Sequence, residues 1–220
     1  MNLKFYVNIL PKLSIIKSLY YSLRFKGIFL VGKGCVINIH SNARLIFNDK
    51  FSSIYVGVHF SSAAGATLDI YKGGTLRVGK SVGVHRNSKI VVREGAELSI
   101  GNRTFINENS RVVCRKNISI GEGCSIAWGV TISDTDSHGI YKGQQLLNPD
   151  AAITLGSNIW ICAHSLIAKG STIESNCVVG AGSVILGNTL ESGYIYAGNP
   201  MKRLKKFETW GSFKETDRIL

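Results

Sequence analysis

The sequence is poor in proline and in charge, and its N-terminal part lacks acidic residues. Only 3 of its 220 residues are Pro and 18% are charged, whereas 24 are Gly. No acidic residue precedes Asp49. This composition is typical of a fold in which tight turns connect buried strands, and no segment has the composition of a disordered region. We expect one domain with short extensions.

Long apolar runs are also missing. No run of 18 uncharged apolar residues occurs, so a membrane-spanning helix is not expected. Lys12, Lys17 and Arg24 interrupt the apolar stretch near the N-terminus, and no small-residue cleavage site follows a clean hydrophobic region. This argues against a secretory signal, and we expect the chain to stay in the cytoplasm.

The five cysteines form no CxxC pair. An odd number without such pairing is best interpreted as small buried thiols in a reducing compartment. They are Cys35, Cys114, Cys124, Cys162 and Cys177.

Residues 1–26 are predicted to form a basic, helical extension. Apolar residues recur at helical spacing between Pro11 and Phe25, with Pro near the start of the helix. One interpretation places this helix on an anionic membrane surface. The other lets it cap the open edge of the fold, and both can hold. Nucleic acid is not an expected partner, because no recognition helix or interleaved basic and aromatic motif is present.

The most informative pattern is a period of six. The segment from Leu155 to Leu186 divides into LGSNIW, ICAHSL, IAKGST, IESNCV and VGAGSV, each beginning with Leu, Ile or Val. Neither a helix nor a flat strand has this period. It predicts a three-sided parallel β-helix over residues 27–200, with apolar residues pointing to the axis and Gly, Asn or Ser at the corners. At about eighteen residues a turn, that span predicts roughly eight or nine turns.

The regularity fails between Asp134 and Ala152, where the chain is DTDSHGIYKGQQLLNPDAA. This polar segment lacks apolar hexad starts, so a loop must leave the prism there. Such excursions from a rigid scaffold commonly carry function.

Several motifs occur in a fixed order: ISDTDSH, a loop ending in NP, ITLGSNIWICAHSLIAKGSTI, VVGAGSVI and AGNPMKRL. In this order and spacing the chain resembles the hexapeptide-repeat acyltransferases, specifically the polysaccharide O-acetyltransferase branch related to galactoside and maltose acetyltransferases. The resemblance implies an all-β, left-handed parallel β-helix, acetyl-CoA as acyl donor, a homotrimer, and a glycan or lipid-linked sugar as acceptor.

The resemblance also implies roles for individual residues. His138 matches the catalytic base, which takes the hydroxyl proton as the acceptor attacks the thioester. Asp134 or Asp136, or a backbone carbonyl, is a candidate for holding the other ring nitrogen, although ordinary turn chemistry explains both aspartates equally well. The backbone amide of Ala163 matches the oxyanion donor, and Asn107 matches an Asn near the acetyl group and acceptor.

Coenzyme A is expected in a groove between neighbouring prisms. Residues 201–220 are expected to form a basic C-terminal tail or short helix, whose basic residues can instead be merely solvated, and Trp160 can instead be interface packing. On the loop, Tyr141, Lys142 and Gln144 are candidates for sugar contacts. The positions expected at coenzyme A are Trp160, Ala163, Ala181, Gly182, Asn199, Pro200, Lys202, Arg203 and Lys205.

Three other functions fit the sequence less well. A metal enzyme of the γ-carbonic anhydrase type needs paired histidines, whereas His164 has no partner five residues on and His40, His59 and His85 stand alone, so no metal is expected. N-acetylation of a nucleotide-linked amino sugar is disfavoured because residues 1–30 show no glycine-rich turn. A non-catalytic scaffold is disfavoured by the intact DTDSH and AGNP segments.

Overall fold

The computed structural model describes residues 10–58 and 65–211. His59, the first nine residues of the predicted extension and the last nine of the predicted tail lie outside the described residues.

Three parallel sheets form the walls of a prism, as the six-residue period predicts. Successive strands of the chain pass to successive walls, so that each strand pairs with the strand three steps later in the regular turns. The fold is a left-handed parallel β-helix. The first wall contains β1 (Ile28–Val31), β4 (Ser53–Val56), β7 (Val82–Val84), β10 (Phe105–Ile106), β13 (Ser125–Ile126), β18 (Trp160–Ile161), β21 (Val178–Val179) and β24 (Tyr194–Ala197).

The other two walls have the same organisation. The second wall contains β2 (Val36–Ile39), β5 (Thr67–Ile70), β8 (Lys89–Val92), β11 (Arg111–Cys114), β14 (Thr131–Ser133), β19 (Leu166–Ala168) and β22 (Val184–Ile185). The third contains β3 (Arg44–Phe47), β6 (Thr75–Val78), β9 (Glu97–Ile100), β12 (Asn117–Ile120), β17 (Ile153–Leu155), β20 (Thr172–Ile173) and β23 (Thr189–Leu190). We call the connections from first to second wall, second to third and third to first the first, second and third corners.

The apolar hexad starts fill the axis of the prism. Ile161, Ile167 and Ile185 are fully buried, and every other hexad start from Leu155 onward is at most 2% exposed. The corners use left-handed backbone, with Asn109, Asn158 and similar residues at φ near +55° alongside several glycines. Asn adopts this conformation more readily than most residues, which explains its frequency there.

The prism has fewer turns than predicted. Among the described residues there are seven complete turns plus the first-wall strand of an eighth. The early turns are longer: Ile28 pairs with Ser53, 25 residues later, whereas Trp160 pairs with Val178, 18 residues later. The early turns contain extra corner residues, so the chain makes fewer turns than eighteen residues a turn would give.

The N-terminal helix α1 (Ile15–Phe25) packs on β1 and β3 of the first turn, with Tyr21 and Phe25 against the core, as the capping interpretation predicts. It begins later than predicted, because Leu10–Lys12 form a 3₁₀ turn and Leu13 bridges to Gly32. The side that packs on the prism includes Ser18, whose hydroxyl accepts from the Val31 amide, and Tyr21. The apolar residues that defined the predicted face are instead mostly exposed, with Ile16 83% and Leu23 78% accessible.

The C-terminal segment is more than the predicted tail. Gly198 to Met201 form the closing turn, and β25 (Lys202–Lys206) then pairs antiparallel with β24 on the first wall. No helix in the described parts of the chain is both long and apolar enough to cross a membrane.

The free energy of unfolding should depend strongly on the apolar residues that begin the hexads, because their side chains fill the axis. Ile167→Ala removes a fully buried side chain and is expected to lower the free energy of unfolding by about 2–5 kcal/mol. Leu186→Ala, at a position 64% exposed, should change it by less than about 0.5 kcal/mol. Equilibrium urea unfolding followed by far-UV circular dichroism measures both, and equal losses would contradict an axial core.

Candidate functional site

The irregular segment leaves the prism at the second corner, as expected, and folds into a small hairpin. Strands β15 (Tyr141–Lys142) and β16 (Gln145–Leu146) pair antiparallel around a turn in which Gly143 has φ +62°. Leu147 donates its N–H to the Ile140 carbonyl at 2.7 Å, which closes the base of the hairpin. His138 lies just before the hairpin and is exposed.

Asn148 fixes the loop on which His138 stands. Its amide nitrogen donates to the His138 carbonyl at 2.9 Å and to the Asp136 carboxylate at 2.8 Å, while its amide oxygen accepts the Ile140 N–H at 2.6 Å. Lys169 donates to the Asn148 carbonyl at 2.8 Å from the next turn of the prism. Sequence reasoning missed both residues, although the NP closing the loop marked the position of Asn148.

Asp134 bonds to backbone N–H groups and not to the imidazole in the described structure. Its side chain is fully buried, and its two oxygens accept the backbone N–H groups of Arg115, Lys116 and Asn117 at 2.7–2.8 Å. Each such charge-assisted bond contributes about 1.5–3 kcal/mol. Asp134 therefore anchors the neighbouring corner, which is the turn chemistry already considered for it.

Asp136 is also engaged elsewhere. Its carboxylate accepts from Lys169 at 2.5 Å and from Asn148 at 2.8 Å, and the bond from Lys169, followed by that from Asn148, lowers its pKa below the ordinary value. Neither aspartate bonds a ring nitrogen of His138 in the described part of the chain. The loop is thus held by side chains that fix the backbone of His138 and leave its ring accessible.

Two depressions meet at His138. The larger, of about 710 Å³, runs down the second corner and is lined by His138, Arg115, Arg93 and Tyr71 among others. The smaller, of about 120 Å³, lies under the hairpin between His138 and Tyr141. Of the three predicted sugar contacts, Tyr141 lines this cavity, whereas Lys142 and Gln144 are exposed at the hairpin tip.

Ala163 and Asn107 lie at the first corner, on the other side of the second wall from His138. The Ala163 N–H donates to no acceptor among the described residues, whereas the adjacent His164 N–H bonds the Trp128 carbonyl at 3.1 Å. The Asn107 amide nitrogen donates to the Ile126 carbonyl at 2.9 Å, which fixes its carboxamide. A free corner amide and an oriented carboxamide are suitable groups for binding a carbonyl oxygen and an acceptor.

The same corner offers room for a ligand. Ala181 and Gly182 are exposed, and a Cβ added at Gly182 would meet no atom within 4 Å. Trp160 is 40% exposed on the first wall and packs at 6.0 Å against Trp210, whose indole N–H donates to the Asn158 carbonyl at 2.8 Å. Sequence reasoning missed Trp210, because the segment after β25 that returns the chain to Trp160 has no regular pattern.

The basic residues after the closing turn are solvent-exposed. Lys202 and Lys205 lie on β25 beside the exposed Asn199 and Pro200. Arg203 differs, because its guanidinium pairs with Glu191 at 2.9 Å and lies over the Tyr194 ring. Lys202 and Lys205 are therefore better suited to a phosphate than Arg203.

The predicted site residues thus fall into two groups that one chain does not bring together. His138 and its loop stand at the second corner, while Asn107, Ala163, Ala181 and Gly182 stand at the first. Within the described ranges, no group of three or more His, Cys, Asp or Glu side chains is placed to hold a metal ion.

The sequence relatives of this chain are O-acetyltransferases by name. No protein-family model matches the sequence. The galactoside O-acetyltransferase of Escherichia coli is 33% identical over 92 residues, which cover 40% of this chain and 44% of that protein. The putative lipopolysaccharide biosynthesis O-acetyltransferase WbbJ of Escherichia coli is 27% identical over 166 residues, covering 70% of this chain and 72% of that protein.

A solved structure extends the likeness to nearly the whole fold. The polysialic-acid-specific acetyltransferase NeuO is 25% identical and covers 85% of this chain and 90% of its own, with a TM-score of 0.57. The galactoside enzyme is matched over less than half of its length, whereas WbbJ and NeuO are matched over most of theirs.

The anchoring of the loop should depend on pH through Asp136. Its folded pKa is lowered by Lys169, so the stabilisation is present above the ordinary aspartate pKa of about 4 and is lost as pH falls through the lowered value. Hydrogen exchange at the Leu147 amide, corrected for the intrinsic rate, should lose protection on acidification. Asp136→Asn should show reduced protection at neutral pH and little further loss in acid; an unaltered pH profile in this variant would contradict the assignment.

Proposed function

We propose that the chain is a hexapeptide-repeat acyltransferase that transfers an acetyl group from acetyl-CoA to a hydroxyl of a bacterial surface polysaccharide, in line with its likeness to O-acetyltransferases. The observation that carries the proposal is His138, whose backbone is clamped by Asn148 while its ring stays accessible beside an open depression. An exposed imidazole on a fixed loop is what a general base for an alcohol requires.

The reaction proceeds by direct attack. His138 takes the proton of the acceptor hydroxyl as its oxygen attacks the thioester carbonyl. The oxyanion of the tetrahedral intermediate accepts a hydrogen bond from the Ala163 N–H, which has no other partner among the described residues. Collapse of the intermediate breaks the carbon–sulfur bond and leaves the acetyl group on the acceptor oxygen. The thiolate then receives the proton from His138, so that the base is regenerated.

Asn148 and Lys169 position the loop that carries His138. Asn148 fixes the His138 carbonyl, and Lys169 ties both Asn148 and Asp136 to the wall of the prism. Since neither aspartate reaches the imidazole, the backbone of the loop sets the position of the base.

Acetyl-CoA fits the first corner. Ala163, Ala181 and Gly182 leave space for the pantetheine arm, and Trp160 offers an apolar surface beside it. Lys202 and Lys205, on the exposed strand β25, supply charge for the phosphates; Asn199 and Pro200 lie in the turn before them.

A closed homotrimer would complete the site. His138 and Ala163 stand at different corners of the same prism, so the chemistry needs His138 of one chain beside Ala163 of another. Cyclic symmetry satisfies this requirement at every interface at once. A three-sided prism packed in a ring of three gives three equivalent sites.

We also propose that helix α1 rests on an anionic membrane surface, where lipid-linked sugars are found. Ile16, Leu19 and Leu23 form an outward apolar face, although α1 also covers the prism by its other side. Arg24, Lys26 and Lys33, at the end of the helix and just after it, are exposed, and no acidic residue precedes Asp49. Exposed apolar side chains bordered by basic ones are typical of interfacial helices.

The first test is His138→Ala. Loss of the base should lower kcat for acetyl transfer from acetyl-CoA to a surface glycan by about 10²–10⁴-fold without loss of folding. The measurement is release of free coenzyme A thiol together with acetate ester formation on the glycan. Leu147→Ala, an exposed change on the same loop, serves as the matched control and should retain activity. Full activity of His138→Ala would contradict the proposed role of His138 as the base.

Mixed oligomers test whether two chains form each site. His138→Ala and Asn107→Ala should each be weakly active alone. Co-refolded with each other, they should regain part of the wild-type rate, because some interfaces then combine an intact His138 with an intact Asn107. No recovery in verified mixed oligomers would place both residues in one chain's site.

Vesicle binding tests the helix. Ile16→Ser combined with Leu23→Ser should weaken binding to phosphatidylglycerol-containing vesicles by about a hundredfold or more, since each buried side chain contributes about 1.5–3 kcal/mol. Leu186→Ser removes a similarly exposed leucine elsewhere and should leave binding as it is. Co-sedimentation at low and high salt gives the measurement, and equal binding by all three proteins would leave α1 with its capping role alone.

A further inference from the structure

Resting on the proposed acetyl transfer, we propose that the acceptor is an extended acidic glycan, bound along the second corner from His138 towards the first turn of the prism. The structure places one aromatic or basic side chain on each of four successive turns of that corner. The acceptor class and its direction of binding both follow from this arrangement.

The corner carries a continuous column of side chains. Tyr71, Arg93 and Arg115 directly follow strands β5, β8 and β11 of the second wall. Their register is fixed by backbone bonds, since the Tyr71 N–H donates to the Val92 carbonyl at 2.9 Å and the Arg93 N–H to the Cys114 carbonyl at 2.7 Å. His40, whose N–H donates to the Ile70 carbonyl at 3.0 Å, starts the column one turn earlier.

Two depressions follow the column. The 710 Å³ cavity joins Tyr71, Arg93 and Arg115 to His138, so the column leads directly to the proposed base. A second cavity, of about 430 Å³, lies at the far end beside His40, Arg24 and Tyr21 of helix α1. A chain bound in both would run from helix α1 to the reacting hydroxyl.

The chemistry of the column suits sugar rings with acidic groups. The His40 and Tyr71 rings stack at 4.8 Å with an interplanar angle of 12°, and the Arg93 guanidinium lies 5.0 Å from the centroid of the Tyr71 ring. Because His40 and Arg93 stack on the Tyr71 ring from neighbouring turns, the three side chains can present their edges, which carry N–H and O–H groups, to the hydroxyls of a sugar chain. A guanidinium beside them presents paired N–H donors to a carboxylate.

The charges that face the column favour an anion. Its carboxylates are Glu94, which lines the larger cavity, and Asp150, which is already paired with Arg115 at 3.1 Å. Arg93 and Arg24 make no ion pair with any residue that the structure describes. Positive charge without an acidic partner therefore remains near the middle and at the far end of the column.

The length of the column predicts a polymer. Four steps between turns separate His40 from the turn that bears His138, and each step is about 4.8 Å, so the column extends for roughly 19 Å. A single sugar at His138 reaches none of the far side chains. A chain of several sugars contacts Arg115 first, then Arg93 and Tyr71, and His40 last.

A length series tests this directly. The probes are oligomers of sialic acid and of galacturonic acid from one to eight units, with neutral maltooligosaccharides of the same lengths. KM for acetyl transfer is measured with each, and equilibrium binding is measured without acetyl-CoA. The variants are Arg93→Gln and His40→Ala, with Lys50→Gln, an exposed change at the third corner, as the charge-matched control. Thermal unfolding of every variant confirms its fold.

For the wild type, KM for at least one acidic series should fall with chain length. Arg93→Gln should raise KM for the longer acidic chains by about tenfold, the loss expected for one charge-assisted contact, and the increase should grow with length. His40→Ala should raise KM only for the longest chains, and Lys50→Gln should behave as the wild type.

The outcomes separate the two proposals. Length-dependent binding of acidic chains without acetyl transfer would retain the column and reject the proposed function. Three outcomes would contradict glycan binding along the column while leaving acetyl transfer in place. They are acetyl transfer with a KM independent of chain length, equal preference for neutral chains, and no difference between Arg93→Gln and Lys50→Gln. Failure of both acidic series to bind would overturn it as well.

Discussion

The fold depends on filling a narrow triangular axis with one apolar side chain from each wall at each turn. Ile161, Ile167 and Ile173 illustrate the rule, since they come from three successive walls and are all buried. The axis leaves no room for polar side chains without partners, so the chain must turn at fixed intervals and place Gly or Asn in left-handed conformation at the corners. A rigid set of stacked corners is the consequence.

Stacked corners turn a one-dimensional sequence into columns of side chains. Residues about one turn apart become neighbours at the spacing of β-strands, so each corner carries a row of side chains whose chemistry varies with the sequence. The first corner carries Ala163, Ala181 and Gly182, whose small size leaves space. The second carries Arg93, Arg115 and then the extruded loop with His138. The residues that we propose for donor and for acceptor therefore lie on separate surfaces of one scaffold.

The loop shows how a rigid scaffold holds an irregular segment. Buried Asp134 closes the corner below it by accepting three backbone N–H groups, and Asn148 with Lys169 ties its two ends together. These bonds fix the backbone at His138 and leave the ring exposed. Asp134 accepts backbone N–H groups and Asp136 accepts from Lys169 and Asn148, so neither aspartate bonds the His138 ring although both are close to it in sequence.

The sequence by itself determined the prism, its corners and the position of the extruded loop, because these follow from a local period and its interruption, whereas the choice of His138 depended on the family resemblance. The turn count was overestimated, since extra corner residues in the early turns break no apolar pattern. Only the tertiary structure decided that the apolar side of α1 faces outward, that Asp134 is structural, and that Trp210 packs on Trp160. It also brought His40, Tyr71, Arg93 and Arg115 into one column, because contacts between turns join residues whose separation varies with corner length.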